Sequence, residues 1–166
     1  MHRQRPVPSL VRNAGAVACL AVVGVLAGCD SGSVRVETPE LGRVDEAACT
    51  SLVDALPDAV SDKERRPVDP EDAHAAAWGD PAIVLRCGVP EPEALDDTAT
   101  CQLVNGVGWF VPQEQIEDQS ADVVMTTIGR TQNVEVTIPA GYRPPAAAMV
   151  DLAPAVKKAI REVRPC

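Results

Sequence analysis

Basic residues are in short supply: 15 Lys and Arg stand against 24 Asp and Glu in a chain of 166 residues. Three of them, Arg3, Arg5 and Arg12, lie in an N-terminal stretch read below as a cleaved signal, so the acidic excess of nine rises to twelve without it. A surface of that sign repels phosphate backbones and anionic lipid, which excludes DNA, RNA and direct electrostatic attachment to a membrane. The excess acid reads as a solvated surface.

Histidine is scarcer still, with His2 and His74 alone. General acid or base work at neutral pH would fall on His74, with a Ser or Cys nucleophile and Asp72 as partners. Residues 62 to 74 are dominated by Asp, Glu, Arg, Lys and Pro, so His74 reads as exposed and Asp69, Glu71 and Asp72 as a solvated acidic loop. No Gly-rich phosphate loop follows a strand, and neither an HExxH helix nor a calcium loop occurs. The sequence therefore points to no enzyme, no metal and no cofactor.

A long apolar run is also missing. From Ala14 to Gly28 there is no charge, but a spanning helix needs about 20 apolar residues and a signal-peptide core only about 7 to 15. The run ends at Leu26-Ala27-Gly28-Cys29, which resembles the lipobox read by the lipoprotein signal peptidase. That resemblance implies a lipoprotein signal peptide over residues 1–28 and a diacylglycerol thioether on Cys29. Further acyl chains such as palmitate, at about 0.8 kcal/mol per buried methylene, would make attachment stable. The expected location is the extracytoplasmic face of the cell membrane, lipid-anchored, and residues 29–44 read as a flexible tether.

Cys19 leaves with the signal, so Cys49, Cys87, Cys101 and Cys166 remain. An even number in an exported chain implies disulfides, and no pair has the two-residue spacing of a zinc knuckle. Four cysteines allow three pairings, which sequence alone does not separate. The expected one is Cys49 with Cys166, closing a loop of over a hundred residues worth about 4 to 5 kcal/mol, and Cys87 with Cys101, closing about 15 residues worth about 3.

Residues 45–56 carry Ala48, Leu52, Val53 and Leu56 on one helical side, with Asp45 as a cap and Pro57 as a stop. Residues 57–80 lack apolar periodicity and read as a loop with one helical turn near Asp69 to Trp78. Residues 82–89 read as a buried strand whose Arg86 must point out or be paired. Asn105-Gly106 between Val104 and Val107 is the strongest local signal, a two-residue hairpin whose turn needs positive φ twice. Residues 121–128 and 133–138 form a second hairpin around Gly129 to Gln132. Met149, Leu152, Val156, Ile160 and Val163 recur at helical spacing, with Lys157 and Lys158 towards the C-terminal end and Pro154 expected to kink or split the helix.

This order predicts one α+β domain over residues 45–166, a small antiparallel sheet of four to five strands with an N-terminal and a C-terminal helix packed on it. Trp78 and Trp109 read first as core, but Trp109 and Phe110 are neighbours on a strand and face opposite sides, so one exposed ring is the best hint of a binding surface.

The string Trp78-Gly79-Asp80-Pro81-Ala82-Ile83-Val84-Leu85-Arg86-Cys87-Gly88, with VNGVGW at 104–109 and the terminal cysteine, resembles a family of small actinobacterial exported proteins and lipoproteins without assigned function. The resemblance implies an envelope location and supplies no catalytic residue. The leading expectation is a non-enzymatic binding or interaction module with an envelope or cell-wall ligand. An envelope hydrolase or transferase, and a purely structural component, are the alternatives.

Overall fold

The structure, a computed structural model, describes residues 32–96 and 98–166. The expected signal and the expected lipidation site Cys29 lie outside the described residues. The first elements are β1 (Val34–Arg35), α1 (Arg43–Ala55), β2 (Ala59–Val60), β3 (Lys63–Arg66), β4 (Val68–Asp69), β5 (Ala75–Trp78) and β6 (Ile83–Val89). They are followed by β7 (Cys101–Val104), β8 (Val107–Phe110), α2 (Gln113–Glu117), β9 (Val123–Ile128), β10 (Asn133–Ile138), a 3-10 turn at Ala140–Tyr142 and α3 (Ala146–Ala159).

Eight strands form one antiparallel sheet in the order β2-β3-β5-β6-β10-β9-β8-β7, and β1 pairs in parallel with β4 as a separate ribbon. The mixed architecture matches the expectation, but the sheet is larger than the four to five strands read from the sequence. The additional strands come from residues 57–80. β3 is the charged stretch Lys63-Glu64-Arg65-Arg66, and β5 is Ala75-Ala76-Ala77-Trp78, a good helix sequence. Neither alternates polar and apolar residues. They are strands because neighbouring backbone recruits them: Ala76 and Trp78 sit opposite Leu85 and Ile83 of β6, and Arg65 opposite Trp78. Tertiary pairing overrides local propensity here, as it commonly does for strands.

The hairpins follow the expected chemistry. Asn105 and Gly106 take φ of 49° and 80° between β7 and β8, the left-handed pair of a type I′ turn. β9 and β10 pair with Val136 opposite Met125.

α1 and α3 pack on each other and on one sheet face, burying Leu52, Met149, Leu152 and Val156 against Ile83, Leu85, Met125, Val134 and Val136. Asp45 does not cap α1. The N-cap is Gly42, and Asp45, in the first turn, accepts a hydrogen bond from the Gln132 amide. Pro154 neither splits nor ends α3: it lies on the exposed side, as does Val150, whose carbonyl loses its helical N–H partner to the proline. The helix ends instead at Ala159. The buried Arg130 guanidinium donates to Ile160 O at 2.7 Å and Gly106 O at 2.8 Å, and the tail docks through Val163 N to Gly129 O at 2.8 Å. Val163, expected on the apolar helical stripe, therefore falls beyond the helix and is exposed.

The expected cysteine pairing is wrong: Cys49 bonds Cys87, and Cys101 bonds Cys166, with Cα separations of 5.6 and 5.9 Å. Cys87 and Cys101 stand on β6 and β7, four strand spacings apart in the sheet order, roughly 19 Å at about 4.8 Å per spacing, and no disulfide reaches that far. α1 lies over β6, which puts Cys49 on Cys87. The tail runs along the other end of the sheet, and a Cβ added to Gly108 would lie 2.9 Å from Cys166 Cβ and 3.1 Å from Cys101 Sγ.

The residues expected to form a flexible tether are docked on the domain from Val34 onwards: β1 pairs with β4, and Val36 is buried.

Peptide mapping of unreduced protein should yield the Cys49–Cys87 and Cys101–Cys166 linkages and neither expected alternative. The loops they close span sequence separations of 38 and 65 residues. Replacing either pair by alanine should cost about 4 kcal/mol of unfolding free energy in the chain-entropy treatment, read as a lowered denaturation midpoint.

Candidate functional site

β6 alternates across the sheet. Ile83, Leu85 and Cys87 are buried towards the long helices, whereas Val84 and Arg86 point to the opposite face; the register shift at Gly88 interrupts the alternation, and the buried Val89 pairs with Asn133 and lines the cleft described below. The same alternation in β10 places Glu135 and Thr137 on that second face, where Arg86 and Glu135 are register partners.

One end of this second face is covered. Val36 packs with Ala73 and Ala75, flanked by Val34, Val68 and Val84, in a small separate cluster. The ribbon holding it is tied by Val34 N to Pro67 O at 2.9 Å, Val36 N to Asp69 O at 3.0 Å, and Arg66 Nη2 to Gly32 O at 2.7 Å. Alanine at 73 and 75 leaves room for the N-terminal segment to approach the sheet.

The other end is a cleft of about 640 Å³. Its floor is Arg86 and Glu135, Val124 and Thr126 of β9, and Phe110 of β8. Residues 37–39 form one wall, residues 89–93 at the end of β6 and beyond it a second, and Pro112 with Gln115 of α2 a third. Each wall has a local cause. Arg86 donates through Nε to Glu135 Oε1 at 3.1 Å, pairs again through Nη2, and reaches the Glu37 carbonyl with Nη1 at 3.4 Å. One guanidinium thus joins the floor to the first wall. Beyond that wall Leu41 packs on the main core and over Gly88, where a Cβ would lie 2.5 Å from Leu41 Cδ2. Gly88 also has φ of +80° at a register shift in the ladder with β10, so glycine is required on both counts. α2 is held by Val124 N donating to Gln115 Oε1 at 2.7 Å and by Arg143 Nη2 donating to Gln115 O at 2.6 Å.

Two exposed turns border these walls. Bonds from the Ser120 hydroxyl and then its amide hold the Asp118 carboxyl below the ordinary carboxylate range, and Thr98 does the same for Asp96. Both act as loop staples. Arg130 has its pKa lowered by burial, partly offset by Glu162, and belongs to the tail clamp rather than to the cleft.

The tryptophans are not a surface. Both are fully buried. Trp78 donates from Nε1 to Pro57 O at 3.0 Å, while Trp109 Nε1 is buried without a partner among the described residues. Phe110 does face away from Trp109, as strand alternation requires, but it lies in the cleft floor with 4% exposure. The expectation that one of the two rings is exposed is therefore corrected: helices cover one and the cleft walls cover the other.

His74 is half-buried, its Nε2 lying 3.3 Å from Thr50 Oγ1 of α1. Glu46, Asp54, Glu71 and Asp72 line the same shallow depression, but no carboxylate hydrogen-bonds the ring among the described residues. Asp69 is drawn away by Arg35 at 3.2 Å. No group of three or more His, Cys, Asp or Glu side chains is placed to hold a metal among the described residues.

Of the cleft residues, only Arg86 and Phe110 carried a sequence signal, one as a charge in an apolar strand and the other as the neighbour of Trp109. Val124, Thr126 and the wall at residues 37–39 carried none, because the face they share exists only once β6, β10, β9 and β8 are aligned.

A family model described as Protein of unknown function (DUF3515) matches residues 13–165, and the chain belongs to that family. No curated protein and no solved structure matches it.

Truncating either tryptophan to alanine should cost about 3 to 5 kcal/mol, since each is a core ring. Trp78→Phe should cost more than Trp109→Phe, because only the first gives up a hydrogen bond. Chemical denaturation reads the difference, and a smaller loss at Trp78 would contradict it.

Proposed function

We propose that the chain is a cell-envelope lipoprotein, held through Cys29 on the outer face of the cytoplasmic membrane, whose domain is a non-enzymatic binding module. The charge-free run ending at Leu26-Ala27-Gly28-Cys29 supports the anchor, and two disulfides suit an oxidising compartment outside the cytoplasm. The string from Trp78 to Gly88 supports an affinity with actinobacterial exported proteins.

The cleft on the second sheet face carries the binding reading. Its size falls in the range of ordinary ligand sites, and it combines apolar lining from Val89, Phe110, Val124 and the wall prolines with placed polar groups, among them the Arg86–Glu135 pair in the floor. It takes over the role first assigned to an exposed tryptophan. A hydrolase or transferase reading would rest on His74 and Thr50, whose contact resembles a base beside a hydroxyl, but no third group orients the ring among the described residues.

Two substitutions test this. Val124→Trp should fill the cleft without disturbing the helix-side core and should fail to restore the phenotype of a deletion strain at normal protein level and melting temperature, whereas His74→Ala should restore it. Full restoration by Val124→Trp, or loss with His74→Ala, would overturn the binding reading. Cys29→Ala should remove the protein from the detergent phase in a phase-partition assay, and unchanged partition would rule out the anchor.

A further inference from the structure

We propose that the cleft accepts an extended, positively charged peptide segment with an apolar side chain between basic ones. This deepens the binding reading and rests on it.

The charge pattern selects the sign of the occupant. Among the described residues, four glutamates, Glu37, Glu91, Glu93 and Glu135, line the cleft against one arginine, Arg86. Glu135 is taken by Arg86, and Glu91 is paired with Arg164 at 3.2 Å. Glu37 and Glu93, on two different walls, are exposed and have no cationic side chain within ion-pair distance among the described residues. Among the described residues Arg86 is the one cation in the floor, and it is already committed to Glu135. A phosphate, a carboxylate ligand or an anionic lipid headgroup would enter against this field, while a basic segment would meet two unpaired carboxylates.

The floor selects the rest. Val124 of the floor, with Pro39, Pro90 and Pro112 of the walls, gives an apolar lining suited to one aliphatic side chain. With Phe110 at 4% exposure, its ring offers no open face on which a sugar could stack. A bare acyl chain would use the lining but leave both carboxylates without a counter-charge. Pro39, Pro90, Pro92 and Pro112 stiffen the walls, so little loop entropy is lost when a ligand enters. The volume admits a few residues and no folded partner.

The test uses the full lipidated chain in nonionic detergent, titrated with acetyl-Lys-Leu-Lys-amide and acetyl-Glu-Leu-Glu-amide while backbone amide resonances are followed by NMR. The basic peptide should saturate with shifts centred on Phe110, Val124 and Thr126, at least tenfold more tightly than the acidic one. Combining Glu37→Gln with Glu93→Gln should weaken it about tenfold, and Val124→Trp should abolish it. Equal affinity for the two peptides, preference for the acidic one, absence of saturation into the millimolar range, or binding that survives Val124→Trp would each overturn the proposal. If the proposal fails in this way while Val124→Trp still loses function in cells, the cleft remains a binding site for an occupant of different chemistry, so the two failures are distinguishable.

Discussion

The alternation of β6, locked in register with β10, is the constraint on which the rest of the molecule depends. Leu85 opposite Val136 turns apolar atoms towards the helices, and Arg86 opposite Glu135 turns an ion pair the other way. A slip of one residue would exchange the two faces, placing the guanidinium under α1 and α3 and Cys87 out of reach of Cys49. The Cys49–Cys87 bond fixes the same choice covalently from the helix side.

From that constraint the second face gains its use. Antiparallel sheets commonly leave one face to solvent, but here the N-terminal segment crosses it, buries Val36 over two alanines, and then forms a wall of the cleft. Arg86 couples the parts, since one side chain holds the sheet carboxylate and the Glu37 carbonyl together. The stretch between the proposed anchor and the domain is thus part of the site rather than an inert spacer. Burying Val36 contributes about 1.5 to 2 kcal/mol, enough to favour docking and small enough for the segment to open transiently.

What could be read from the sequence was local. Asn105-Gly106 declared a turn because few residues accept positive φ, the apolar run at 82–89 declared a strand, and the helical spacing of Leu52, Met149 and Val156 declared the packed face. What could not be read was long-range. Lys63 to Arg66 and Ala75 to Trp78 have no strand pattern of their own and become strands through neighbours distant in sequence. The disulfide pairing depends on strand order, which places β7 four spacings from β6. The cleft escaped for the same reason, because its floor draws one or two residues from each of four strands and a wall from a segment read as a tether.

Amide hydrogen exchange at Val36 in the full chain tests the account most directly. Its N–H donates to Asp69 O in the ribbon that closes one end of the second face, whereas Gly32 precedes that ribbon. If the segment is docked as described, the Val36 amide should exchange at least about thirtyfold more slowly than expected for an open chain, corresponding to an opening free energy of about 2 kcal/mol. Exchange at the open-chain rate would show that the segment is free, that the cleft lacks its first wall, and that the second face is an ordinary solvated surface.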